Sequence, residues 1–163
     1  MRDHLAYVYG FNLWYAETLV KDLSAEQMVA QPNGVINHPA WSLGHLTNSS
    51  GHLGKILGLT PDLPEGWDKT FATGGTPSGN LSAYPPKDTI LSALRNLHAQ
   101  NTEGLKNADS ALLSKPHPNE QSRKFFPTVG DMVVFYMTAH EMDHLGQVKA
   151  WRRAMGLGSA TGA

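Results

Sequence analysis

Apolar side chains recur with helical spacing in four segments of the chain. These segments cover about 3–23, 39–58, 86–107 and 128–156. In the first segment the apolar residues form one stripe of Leu5, Val8, Phe11, Tyr15, Leu19 and Leu23. No stretch of more than a few residues alternates between apolar and polar positions as a half-buried strand does. The pattern therefore predicts an all-α protein.

The connection between the second and third predicted helices is long. Residues 59–86 contain prolines, glycines and small polar residues without a period, which indicates a surface connection. A helix of about 20 residues is about 30 Å long, a distance that this connection can cross. We therefore predict a four-helix bundle of up-down-down-up topology, with this long crossover between helices 2 and 3. We expect the crossover to be solvated; the alternatives are that its Trp67 and Phe71 cover a site or form a dimer contact.

Composition and charge narrow the classes of protein. The 163 residues, 40% apolar and 17% charged, predict a single domain over 1–156 and a flexible tail of small residues over 157–163. The formal charge of −1 and the lack of a basic stripe exclude a nucleic-acid partner. The longest apolar run, 132–137, is too short to span a bilayer, so we expect no membrane partner. Absence of cysteine excludes thiolate ligands and fits a cytoplasmic location.

Two of the eight histidines stand out on the predicted fourth helix. His140 and His144 project within about 40° of each other, one turn apart. The line between them passes through Val133 and Trp151, so the pair faces the core. Neutral imidazoles at this spacing can share one metal at about 2.0–2.1 Å, whereas burial without a partner is costly. We predict a metal site; the alternative is two core histidines bonded to other groups.

The same residues match the H-E-x-x-H pattern of zinc proteases. The context for a protease is missing, because no acidic residue follows Asp143 and because Gln147 and Ala150 stand where a metzincin needs Gly and His. Glu141 and Asp143 lie about 80° to either side of the histidine line, which disfavours either one as a general base.

Spacing alone leaves the third metal ligand open among His45, His52 and His98. His45 and His52 lie about 10 Å apart along one helix, so both cannot bind the same ion. His98 lies near the edge of the third helix's apolar stripe. The other histidines look like solvated end-of-element or loop residues: His4, His38 and His117.

Two short motifs resemble those of a known family. The first is N-x-x-x-W-x-x-G-H-L, read from Asn37, Trp41, Gly44, His45 and Leu46. The second is H-x-x-x-H-x-G-Q, read from His140, His144, Gly146 and Gln147. Together, and with the order of helices, they make nearly the whole chain similar to the DinB/YfiT-like superfamily.

This resemblance implies an up-down-down-up bundle and a three-histidine site that often holds zinc or nickel. Carried over by position, the ligands are His45, His140 and His144, and His52 is then a pocket or core residue. Characterised relatives include metal-dependent thiol S-transferases. The shared motifs concern the metal and not the substrate, so the resemblance leaves the reaction open.

Three neutral histidines leave a coordination position for water or substrate, as catalytic sites do. We therefore expect a metal-dependent enzyme, a thiol-dependent S-transferase or a hydrolase, acting on a small molecule. Any thiol must be external and of low molecular weight, since the chain has no cysteine. The alternative is a non-catalytic metal- or ligand-binding stress protein, with His98 as a fourth ligand. Gln147 and Tyr136 are candidate pocket residues, and a homodimer is left open.

Overall fold

The computed structural model describes residues 1–161. The α-helices are α1 (Arg2–Val20), α2 (Ala25–Met28), α3 (Pro39–Ile56), α4 (Trp67–Thr70), α5 (Lys87–Asn107), α6 (Ser110–Leu113), α7 (Val129–Phe135) and α8 (Glu141–Ala154). A single π-helical turn, Tyr136–His140, joins α7 to α8. Short 3-10 turns cover Pro32–Gly34, Leu81–Ala83 and Glu120–Lys124. The predicted all-helical class is confirmed.

Local signals in the sequence account for several helix ends. Thr128 accepts from the Asp131 N–H and the Asp131 carboxylate accepts from the Thr128 N–H, a reciprocal cap that starts α7. Pro39 occupies the first turn of α3, where its missing N–H leaves no bond unmade. Gly58 follows α3 with a φ of 79°, a conformation that glycine adopts without a steric penalty.

The long helices pack side by side. Helix α1 contacts α5 and α8, and α3 contacts the same two helices. Contacts at both ends show that α1 and α5 run in opposite directions. At the start of α1 the Arg2 guanidinium bonds the Lys106 carbonyl near the end of α5, and at the start of α5 the Lys87 ammonium bonds the Val20 carbonyl at the end of α1.

Two apolar clusters fill the interior, one toward each end of the long helices. One cluster includes Leu19, Leu43, Leu94, Leu145 and Trp151. The other includes Tyr9, Leu53, Leu105, Val133 and Met137. Each such side chain contributes roughly 1.5–3 kcal/mol when fully buried. Between the clusters, each long helix carries buried polar residues, among them Asn12, His45, His98 and Glu141. This polar layer contains the candidate site.

The apolar stripe predicted for α1 is partly wrong. Val8 and Phe11 are 37% and 45% exposed, whereas Asn12 is only 1% exposed. Apolar residues occur on several sides of α1, and two of them, Tyr7 and Trp14, are exposed. The spacing of apolar residues therefore does not identify which side of α1 is buried. The line that faces the core consists of Tyr9, Asn12, Ala16, Leu19 and Val20.

The predicted fourth helix is interrupted and not continuous. The π-helical turn separates α7 from α8 and ends at His140. A π-turn takes one more residue per turn than an α-helix, so the α-helical spacing used to align Val133 with His140 does not hold across it.

The connection after α3 is exposed over most of its length, as expected for a solvated crossover, but two of its aromatic residues are not. Trp67 is 7% exposed and Phe71 is fully buried, and α4, which begins at Trp67, packs against α3. Residues 157–161 of the predicted tail pack against α8: Ala160 is buried, and the Arg152 guanidinium bonds the Gly158 carbonyl. Gly162 and Ala163 lie outside the described residues. None of the helices described for residues 1–161 combines the length and apolarity needed to cross a membrane.

Candidate metal centre

His45 is held in a single tautomer by the connection that follows α3. Its side chain is buried in the second turn of α3, and its Nδ1 lies 2.9 Å from the Phe71 carbonyl oxygen. Because a carbonyl only accepts, Nδ1 carries the proton and donates it. The Nε2 lone pair is therefore free to bind a metal, the arrangement that a backbone carbonyl commonly enforces on a metal-binding histidine.

Gly44 lets the connection approach α3 this closely. A Cβ placed on Gly44 would overlap the ring of Phe71. Only a residue without a side chain leaves room for that ring, which then brings the Phe71 carbonyl to His45. Close packing against Phe71 thus explains why glycine precedes His45 in the first motif.

His140 and His144 approach His45 from the last helix. His140 Nε2 lies 3.3 Å from His45 Nε2. One candidate ligand atom from each of the three histidines lies within 4.8 Å of the other two. The ring centroids of His45 and His144 are 4.6 Å apart. The structure therefore brings together the three histidines that the resemblance implied; their role as ligands stays a prediction.

The donor set fits a divalent metal. Two nitrogens bound at about 2.0–2.1 Å to one tetrahedral ion lie about 3.3 Å apart. The distance of 3.3 Å between His45 Nε2 and His140 Nε2 equals this separation. Burial, followed by the neighbouring His144 and His45, lowers the pKa of His140 to about 3. Burial and His45 lower the pKa of His144 to about 4. Both imidazoles are neutral at pH 7, as a metal ligand must be, so the group could hold a metal ion.

Unpaired nitrogens also mark the cluster. His140 Nδ1 and His144 Nδ1 are buried and have no hydrogen-bond partner among residues 1–161. Such atoms are costly in a protein interior unless a ligand, ion or solvent contacts them. In His140 the unpaired atom is the nitrogen that does not face His45, so it does not by itself indicate a metal.

Residues from both motifs surround the cluster. The Trp41 ring stacks on His45 at 5.0 Å between centroids and 10° between planes. The Asn37 amide donates to Gln147 Oε1 at 2.8 Å, and the Gln147 amide donates to Asp143 at 3.1 Å. Gln147 therefore links α8 to the segment that enters α3. Tyr136, the other candidate pocket residue, lies edge-on to His140 at 5.3 Å.

The remaining histidines lie outside the cluster. His52 was expected to be a pocket or core residue; it is exposed on α3 and so is not in the core, and a pocket role stays a prediction. His98 is buried, bonds the Glu141 carboxylate at 2.8 Å and stacks on Tyr9 at 3.7 Å. His38 and His117 are also buried, contrary to the expectation that both are solvated.

Glu141 is a buried residue of the helix-helix interface. Its side chain is 3% exposed, and burial raises the pKa of its carboxyl while His98 opposes that rise. The carboxylate bonds His98 of α5. Neither the burial of Glu141 nor that of Asn12 was foreseen, because polar residues were not assigned to the core.

An all-helical fold that brings together three neutral histidines, one buried and two partly buried, defines a candidate metalloprotein. A family model described as the DinB superfamily matches residues 15–148. The chain belongs to the DinB superfamily. No curated protein and no solved structure matches it.

Proposed function

We propose that the protein is a metal-dependent enzyme acting on a small molecule, as a thiol-dependent S-transferase or a hydrolase. The observation that carries the proposal is the 3.3 Å approach of His45 Nε2 and His140 Nε2, with His144 completing the group. A bound divalent ion, zinc or nickel, supplies Lewis acidity and lowers the pKa of a bound water or thiol.

The chain's own residues prepare this site. The Phe71 carbonyl holds the proton on His45 Nδ1, so Nε2 faces the cluster as an acceptor. Burial keeps His140 and His144 neutral. The Trp41 ring covers one face of His45 and limits the access of water from that side. Three histidine ligands leave at least one position for substrate, and the thiol is external because the chain has no cysteine.

A second candidate function is non-catalytic binding of a metal or ligand. A fourth protein ligand would close the site and favour that function. His98 was the candidate for this role, and its Nε2 is bonded to Glu141 instead. This contact supports the enzyme over the binding protein.

A small-molecule partner is supported by a cleft that reaches Gln147, less than one turn beyond His144 on α8. The cleft is open to solvent and is lined by Ile36, Asn37, Pro77 and Gln147. Ile36 is 56% exposed, so the cleft offers an apolar wall as well as two amide side chains.

The finer architecture belongs to the same proposal. We propose one domain of up-down-down-up topology over 1–156, to which the packed residues 157–161 also belong. The topology is supported by the antiparallel contacts of α1 with α5 and by the pairing of His45 with His140 and Trp41 with His144 along α3 and α8. We further propose a homodimer, supported by the exposed aromatic residues of α1, and a cytoplasmic location, supported by the absence of cysteine.

The experiment compares zinc- or nickel-loaded protein with His144→Ala on small electrophiles and esters, with and without low-molecular-weight thiols. Turnover that needs the metal and is lost in His144→Ala supports an enzyme, and dependence on thiol separates transferase from hydrolase. Full metal occupancy without turnover on any substrate would favour the binding protein.

A further inference from the structure

Asn12 is a buried polar residue on the core side of α1. Its side chain is 1% exposed, and its amide donates to the Met137 carbonyl at 3.1 Å. Met137 belongs to the π-helical turn and lies three residues before His140 in the chain. Asn12 therefore contacts the last helix within the turn that ends at a histidine of the cluster.

The hydrogen bond from Asn12 to Met137 lies where the backbone hydrogen-bond pattern of the last helix is irregular. In a regular α-helix the Glu141 N–H would donate to the Met137 carbonyl. Here it donates to the Thr138 carbonyl, at the end of the π-helical turn. The Asn12 amide supplies a donor to the Met137 carbonyl in its place. A buried backbone carbonyl needs such a partner, so Asn12 favours the π-helical turn over a regular helix.

The π-helical turn determines where His140 points. The turn contains one residue more than an α-helical turn, and one residue corresponds to about 100° of rotation around the helix. With the turn in place, His140 Nε2 lies 3.3 Å from His45 Nε2. A regular helix starting from α7 would direct the His140 ring to another side.

We propose that Asn12 is a positioning residue, which holds the π-helical turn so that His140 faces His45. The effect of Asn12 on metal binding rests on the proposed function, whereas its effect on the orientation of His140 does not. Asn12 acts through the backbone, and it does not contact the histidines of the cluster by any hydrogen bond described for residues 1–161.

Asn101 is a matched control for the loss of a buried asparagine. Its side chain is also fully buried, and its amide donates to the Ser50 carbonyl at 2.8 Å and to the Tyr9 hydroxyl at 3.2 Å. In both residues the Oδ1 atom has no hydrogen-bond partner in the described part of the chain. Both Asn12→Leu and Asn101→Leu remove a buried amide, but only the first removes a bond to the π-helical turn.

The first readout uses the metal-free protein. Two-dimensional proton–nitrogen spectra of the histidine rings report the surroundings of His140 directly. Asn12→Leu is expected to shift the His140 ring signals, and Asn101→Leu is expected to leave them in place. Unchanged His140 signals in folded Asn12→Leu would overturn the proposal, whether or not the protein binds metal. If Asn12→Leu does not fold, Asn12→Ser, which leaves space for solvent at the carbonyl, takes its place.

The second readout uses cobalt(II) as the probe, because its visible absorption reports coordination geometry. In Asn12→Leu we expect the dissociation constant of cobalt to rise about 10- to 100-fold, with an altered spectrum. In Asn101→Leu the dissociation constant of cobalt and the visible spectrum should match those of the wild type. Equal affinities and spectra in the two variants would contradict the proposal. Failure of the wild type itself to bind cobalt would instead count against the metal site, and the ring spectra would still decide the role of Asn12.

Discussion

The glycines of the two motifs allow a sharp test of the packing around His45. Gly44 lies in α3, and a Cβ at this position would overlap the Phe71 ring. Gly146 lies in α8, and a Cβ there would meet no heavy atom within 4 Å. Gly44→Ala and Gly146→Ala are therefore the same chemical change in two helices, with and without a steric conflict.

The expected free energies of unfolding follow from two terms. Replacing Gly by Ala inside a helix stabilises it by about 1 kcal/mol, and this term is shared by both variants. Forcing extra volume into a packed core costs about 1–3 kcal/mol, and this term applies only to Gly44→Ala. Gly146→Ala should thus be about 1 kcal/mol more stable than the wild type. Gly44→Ala should lie about 1–3 kcal/mol below Gly146→Ala.

Urea unfolding of the metal-free protein measures this difference, with a chelator present throughout. Thermal unfolding gives a second measure, since about 1 kcal/mol corresponds to about 2–4 °C in a domain of this size. Gly44→Ala should also weaken zinc binding, because displacing Phe71 removes the carbonyl that orients His45. Equal stabilisation by both substitutions would refute the close packing of Phe71 on Gly44.

Three further predictions concern the metal. Zinc should raise the melting temperature of the wild type, and a chelator should lower it again, because the ion binds only the folded state. An unchanged melting curve after verified removal of the metal would count against an ion that joins α3 to α8. His45→Ala should lose zinc in an equilibrium titration while His52→Ala keeps it, and the reverse result would overturn the choice of ligand. In the metal-free protein the pKa values of His140 and His144 are lowered, so below about pH 6.5 the unfolded chain binds more protons than the folded chain does. The free energy of unfolding should therefore fall as the pH drops from about 6.5 toward 4. Replacing both by Gln should flatten that slope, and an equally steep slope would contradict their burial in the neutral form.

The helical class and the histidine pair could be predicted from spacing. His140 and His144 are four residues apart, and the turn between them is regular, so both face one side even though the π-helical turn precedes them. His45 could not be separated from His52 and His98 by spacing, because each lies on a helix with apolar neighbours. The family resemblance selected it, and the proximity of His45 to the pair agrees with that selection.

The contacts that orient the site could not be predicted in the same way. Phe71 contributes a backbone carbonyl, which carries no side-chain signal in the sequence, and it lies in a connection without a period. Asn12 is a polar residue among apolar ones on α1, so a search for apolar periodicity passes over it. The π-helical turn depends on tertiary contacts, since Tyr136–His140 contains no proline or glycine that would mark an irregular turn.

The metal content of the purified protein tests the central claim most directly. Plasma mass spectrometry should be applied to protein prepared without a histidine tag, beside His140→Ala and the control His52→Ala. The three-histidine site predicts about one equivalent of zinc or nickel in the wild type and in His52→Ala, and its loss in His140→Ala. Absence of metal from the wild type, even after incubation with divalent ions, would contradict the site and leave the histidines as buried residues of a helical core.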